Sequence, residues 1–164
     1  MTAAGDNRGF SLIEVLISII LVGFAIVALL TANSAFTIAN GAGADLSTAE
    51  FLVEQIRELT ALLPVIDPET GTGAFGPETG EANVANYDDL DDFDGAVFSP
   101  PIGANRAAMN DFAAFSQQVT VQNLNPANFE QVVGDHSSNF VGVTVRVLLN
   151  SKEITSASWI RARY

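Results

Sequence analysis

Between Phe10 and Ala32, a run of 23 residues, only Glu14 ionises. At ~1.5 Å per residue such a run reaches ~35 Å as a helix, enough for a hydrocarbon core of ~30 Å with some tilt. An acid inside it costs on the order of 3 kcal/mol to insert. A plain anchor has no use for that residue, so it points to a partner that meets the charge within the membrane or within an assembly. On hydropathy alone the run also reads as a single membrane anchor or a signal-peptide core. Three details speak against a secretory signal. The segment Met1 to Gly9 has no net positive charge, because Asp6 offsets Arg8. The run exceeds the ~7–15 residues of a signal core. Only a weak small-residue cleavage site, Asn33-Ser34-Ala35, follows it.

The stretch Arg8-Gly9-Phe10-Ser11-Leu12-Ile13-Glu14-Val15 resembles the processing site of type IV prepilins and of the pseudopilins of type II secretion. The resemblance implies a leader over residues 1–9, cut after Gly9 by a prepilin peptidase of the inner membrane. It further implies N-methylation at Phe10 and an assembly role for Glu14, fifth in the mature chain. The implied partners are other pilin subunits, the peptidase, an inner-membrane assembly platform, and membrane lipid before assembly. The implied location is the inner membrane as a single-pass protein, then a pilus or pseudopilus in the periplasm or at the cell surface. The physics runs the same way. Cleavage creates an amine at Phe10 on an apolar helix that also carries Glu14, and both charges need compensation away from water. Pairing Glu14 of one subunit with the terminal amine of a neighbour satisfies both and sets the axial register of packed helices.

Beyond the apolar run, the spacing of Leu52, Ile56, Leu59 and Leu63, with Ala49 and Val53 beside them, predicts an amphipathic helix ended by Pro64. Asn40-Gly41-Ala42-Gly43 predicts a kink or a locally melted turn, with Asp45 or Ser47 capping a restart. The division expected is therefore a leader over 1–9, a membrane or filament-core helix over 10–32, its amphipathic continuation over 33–63, and an extracytoplasmic globular β domain over 64–164. Pro64, Pro68, Pro77, Pro100 and Pro101 mark a loop-rich stretch up to 111. Alternation then predicts strands beginning at Phe115 (with Val119 and Val121), over Phe140 to Leu149, and over Ile154 to Tyr164, with a tight hairpin at Asn150-Ser151-Lys152. The expected fold class is α+β: one long, interrupted N-terminal helix packed on an antiparallel sheet of three to four strands.

A net charge of −12 offers no basic patch for nucleic acid, and the absence of cysteine excludes disulfides and Cys-ligated zinc. The acidic loop 87–95 places Asp88, Asp89, Asp91, Asp92 and Asp94 ahead of Gly95. It reads either as a solvated acidic turn or as a Ca²⁺ site that stands in for a missing disulfide, without EF-hand spacing. This Tyr-Asp-Asp-Leu-Asp-Asp-Phe-Asp-Gly run, followed by a Val-rich hairpin, also resembles the minor pilins of mannose-sensitive haemagglutinin pili, which implies a low-copy subunit. His136, in a Gly-Asp-His-Ser-Ser loop, reads as a surface residue or as the centre of a Ser-His-Asp arrangement. Trp159, Phe140 and Tyr164 read as packing residues or ligand contacts. Arg161 and Arg163, on the side of Trp159, are set to pair with the acidic cluster or with an adjacent subunit. No nucleotide-binding or His-x-x-x-His motif occurs, and a structural, non-enzymatic subunit is the expectation. The competing readings are a membrane-anchored extracytoplasmic binding domain that never polymerises and an anchored enzyme centred on His136.

Overall fold

The computed structural model describes residues 9–65 and 75–163. The expected leader (Gly9 apart), Pro68 and Tyr164 lie outside the described residues. The chain divides into two compact units, Met1–Gly43 and Ala44–Tyr164.

Helix α1 runs over Leu12–Thr60 and contributes to both units. Ser11 begins it: the Glu14 N–H donates to Ser11 Oγ at 3.3 Å and to Ser11 O at 3.1 Å. The locally melted turn expected at Asn40–Gly43 is absent, and these residues are helical. Two glycines cost ~1 kcal/mol each in a helix. With no proline to remove a donor and long helical flanks already nucleated, that cost does not open the ladder. No restart cap at Asp45 or Ser47 is needed. Hydroxyls inside the helix are satisfied by its own carbonyls: Ser18 donates to Glu14 O, Thr31 to Val27 O and Thr37 to Asn33 O. The helix ends at Thr60, short of Leu63, in a turn before Pro64.

In the first unit every described helical side chain is open to solvent in the isolated chain, including Leu12, Ile13, Phe24, Leu29 and Phe36. In the second unit the pattern is one-sided. Ala49, Leu52, Val53 and Ile56 are buried, while Glu50, Glu54 and Glu58 face outward.

That buried face sits against an antiparallel sheet of five strands: β1 (Val97–Phe98), β2 (Phe115–Asn125), β3 (Asn128–Val132), β4 (Phe140–Leu149) and β5 (Lys152–Ala162). Their order is β1-β2-β4-β5, with β3 paired to the far end of β2. The short β1 and β3 carry little alternation of their own, which is why the expected count of three to four falls below the observed five. Register places Val119, Val145 and Ala157 in one row, Val121, Val143 and Trp159 in the next, and Asn123, Val141 and Arg161 in the last. The β4–β5 hairpin turns through Asn150 and Ser151 at φ 50° and 67°, the two positive values a type I′ turn requires.

Two polar side chains lock helix and sheet together. Gln117 is buried near the start of β2. Its Nε2 donates to Leu52 O at 2.8 Å and to Ile102 O at 3.1 Å, and its Oε1 accepts the Ile102 N–H at 2.8 Å. Arg161 donates through Nη1 to Thr60 O at 2.7 Å and through Nη2 to Leu63 O at 3.1 Å. It thus satisfies carbonyls left open at the C-terminus of α1, where positive charge is favoured. Arg161 therefore pairs with the helix end and not with the acidic cluster. Trp159 is packing: Arg57 stacks on its ring at 4.8 Å. Phe140 packs against Phe129, with ring centroids 5.1 Å apart. Replacing Gln117 by leucine keeps the volume but leaves the Ile102 N–H without an acceptor. We expect urea denaturation of the full chain to show a loss of about 1–3 kcal/mol. A loss under about 0.5 kcal/mol would show that the amide is dispensable.

Candidate functional site

Two places in the molecule gather the residues singled out by the sequence. The first is the start of α1. Gly9 and Phe10 precede the helix and are exposed, and Glu14 lies in its first turn. Ser11 and Glu14 have the spacing of a capping box, of which one half is formed: the backbone of Glu14 bonds to the side chain of Ser11. This cap uses only the backbone of Glu14 and orders the first turn of α1. Phe10, Val15, Ser18, Ile19 and Val22 line a shallow apolar groove on this part of the chain.

The second is the acidic loop. It is built by its own aspartates around a single 3₁₀ turn, Asp91–Phe93. Asp89 Oδ1 accepts the N–H groups of Asp91 at 2.8 Å and Asp92 at 3.1 Å. Asp92 Oδ2 reaches back to accept those of Asp88 at 2.8 Å and Asp89 at 3.2 Å. The result is a reciprocal clasp. Leu90 and Phe93 plug the turn into the core, where Phe93 meets Tyr87 edge-on at 5.1 Å. Asp94 leaves the cluster: its Oδ1 accepts the Val121 N–H at 2.8 Å and ties the loop to β2.

The solvated-turn reading of the loop does not hold. Asp89, Asp91 and Asp92 are 0%, 1% and 0% exposed. Two further acids, Glu78 and Glu81, join them from a preceding turn in which Glu81 Oε2 accepts the Glu78 N–H at 2.9 Å. One carboxylate oxygen each of Glu78, Asp91 and Asp92 lie within 4.8 Å of one another, as do one each of Glu81, Asp88 and Asp92. Both Glu residues escaped the sequence reading because about seven residues or more separate them from the aspartate run, and no periodicity links the two turns. His136 is no open surface residue either. It is half-buried, with Nε2 3.8 Å from Asp91 Oδ2 and its ring 5.2 Å from that of Phe75. The neighbouring serines are spoken for: the Ser137 hydroxyl bonds to Gly134 O, and Ser138 Oγ accepts the Phe140 N–H at 3.0 Å. No Ser-His-Asp geometry forms at this loop among the described residues.

Comparison with known families bears on the first site. The family model of the prokaryotic N-terminal methylation motif matches residues 5–30. The match supports a type IV pilin- or pseudopilin-like precursor, a structural protein handled by prepilin processing. Together with one helix long and apolar enough to cross a membrane, it supports membrane anchoring before assembly. No curated protein and no solved structure matches the chain.

The acidic loop lies far along the sequence from the motif, and its charge has physical consequences of its own. Burial pushes the Asp91 carboxyl from the ordinary 3.8 up to about 8, with the charges of Asp89, Glu78 and Asp92 adding to the rise. Burial likewise takes Asp92 to about 7; Glu81 and Asp89 add to it, while the N–H groups of Asp89 and Asp88 oppose it. The Tyr87 hydroxyl rises for the same reasons, burial first and then Asp92 and Glu81. A carboxyl whose pKa is higher folded than unfolded stabilises the fold while it holds its proton. That contribution is complete below about pH 4 and is lost as pH rises through about 7–8. In chelator, the melting temperature of the full chain should therefore fall from pH 5 to pH 8. Each such group contributes at most about 1.4 kcal/mol per pH unit. The Asp91 carboxylate accepts no backbone N–H among the described residues, so Asp91→Asn should fold and lose most of its share of the slope. An unaltered slope in that variant refutes the assignment.

Proposed function

We infer that the chain is a structural subunit of a type IV pilus or of a type II secretion pseudopilus. The observation that carries this reading is the methylation-motif match over 5–30, laid on the first-unit part of α1, whose apolar side chains are uncovered in the single chain. A prepilin peptidase cuts after Gly9, the new amine of Phe10 is methylated, and lipid covers the apolar helix until other subunits replace it. Because the helix comes from lipid, which is as apolar as its side chains, van der Waals packing of Leu, Ile, Val and Phe between helices drives association rather than removal from water. Glu14 sets the register by accepting the Phe10 amine of a neighbour. The acid lies one helical turn from that terminus, so the pairing demands a stagger between subunits rather than a flush alignment.

The resemblance of the acidic run to minor pilins favours a low-copy subunit of such a filament. The non-polymerising anchored domain predicts a different mature product. Mass spectrometry of the N-terminus separates them: N-methyl-Phe10 supports the pilin, and an intact Met1 supports the plain anchor. In cells, Glu14→Ala should leave cleavage and methylation intact but reduce the chain's presence in sheared filaments at least tenfold, because the neighbour's amine is left buried and unpaired. Normal incorporation of that variant would sink the pairing.

A further inference from the structure

The acidic loop does more than the pilin reading asks of it. Five carboxylates from two turns, Glu78 and Glu81 in one and Asp88, Asp91 and Asp92 in the other, converge on overlapping sets that share Asp92. Crowding alone would not define a site, since acids often gather in water. Here two of the oxygens are out of water. Asp91 Oδ1 and Asp92 Oδ1 are sealed from solvent and accept no hydrogen bond, although their residues are 1% and 0% exposed. Buried acceptors of this kind are expensive to leave without a partner. Among the described residues, the one basic side chain within 4.0 Å of Asp91 is His136, and its Nε2, 3.8 Å from Oδ2, is itself without a hydrogen bond.

We propose that Glu78, Asp91 and Asp92 bind one Ca²⁺ ion, which cross-links the 78–81 turn to the 3₁₀ turn at Asp91–Phe93. The donor set is all oxygen, the preference of a hard cation, and lacks the sulfur and nitrogen ligands that select zinc. Ligand type decides between the hard cations: Ca²⁺ takes several protein carboxylates in flexible geometry, whereas Mg²⁺ keeps most of its waters and takes one or two. Three carboxylates converging on one place suit calcium. Asp92 is the pivot: its Oδ2 holds the backbone of the loop while its Oδ1 is left for the metal. An ion there also screens Glu81 and Asp88, which crowd the same carboxylate. The site does not depend on the filament reading, because every residue in it belongs to the second unit.

Calorimetric titration of the EDTA-stripped full chain in detergent with CaCl2 tests this. One ion per chain should bind, and the melting temperature should rise by roughly 10 °C at about a hundredfold excess over Kd. Asp91→Asn and Glu78→Gln should each weaken binding at least tenfold, whereas Glu130→Gln, on the exposed β3, should leave it unchanged. The wild-type measurement stands even where a variant fails to fold. Absence of both heat and thermal shift at ~5 mM CaCl2, above the range of weak extracellular sites, overturns the proposal. So does undiminished binding in both ligand variants, and an equal response to MgCl2 overturns the choice of calcium.

Discussion

Everything in the second unit depends on keeping water from between one stripe of α1 and the valine rows of the sheet. Leu52 and Ile56 are fully buried, as are Val143, Val145 and Val147 opposite them. Side chains of this size each contribute about 1.5–3 kcal/mol when taken out of water. Apolar contact is indifferent to register, however, and a helix could slide along such a surface. Gln117 and Arg161 remove that freedom. One amide grips the carbonyl of Leu52 in mid-helix, and one guanidinium grips the carbonyls of Thr60 and Leu63 at its end. Both polar groups are satisfied several times over, so neither carries the cost of a buried orphan.

Much of this was legible in the chain. The four-three-four spacing of Leu52, Ile56, Leu59 and Leu63 and the alternating valines of Phe140–Leu149 are each one-sided patterns that leave little choice of element. The two-residue hairpin at Asn150 and Ser151 was readable from its turn chemistry. Failures came where cooperativity or distance outweighed local propensity. Gly41 and Gly43 lower helix propensity at two positions, but a helix already nucleated on both sides runs through them. Gln117 follows the inward phase of β2 set by Phe115, Val119 and Val121, yet its polarity hid it as a core residue. The methylation motif was legible because its meaning lies in contiguous residues. The acidic site was only half legible, since Glu78 and Glu81 reach it through folding alone.

A chain without cysteine has to hold its long connection between helix and sheet by other means. It does so with acids. Asp89 and Asp92 clasp each other's backbone, Asp94 anchors to Val121, and Leu90 binds Pro64 O through its N–H at 2.9 Å, closing the loop onto the end of the helix. Carboxylates suit this work because each oxygen accepts two bonds and a backbone N–H is the commonest donor in a turn. The geometry has a built-in conflict. Every carboxylate that turns one oxygen to the backbone brings the other toward its neighbours, so the clasp concentrates negative charge where solvent is excluded.

The same rule governs both sites, at different times. A carboxylate out of water requires a proton, a strong donor or a cation. Glu14 is exposed in the single chain, so its requirement is postponed until lipid or another subunit covers the helix; the proposed partner is then a terminal amine supplied by assembly. Asp91 and Asp92 are covered as soon as the second unit folds, and their requirement falls due at that moment. A charge met on assembly can regulate assembly, since an unpaired subunit is penalised only inside the filament. A charge met on folding can regulate only the fold, and what it governs is whether the loop between helix and sheet holds its shape.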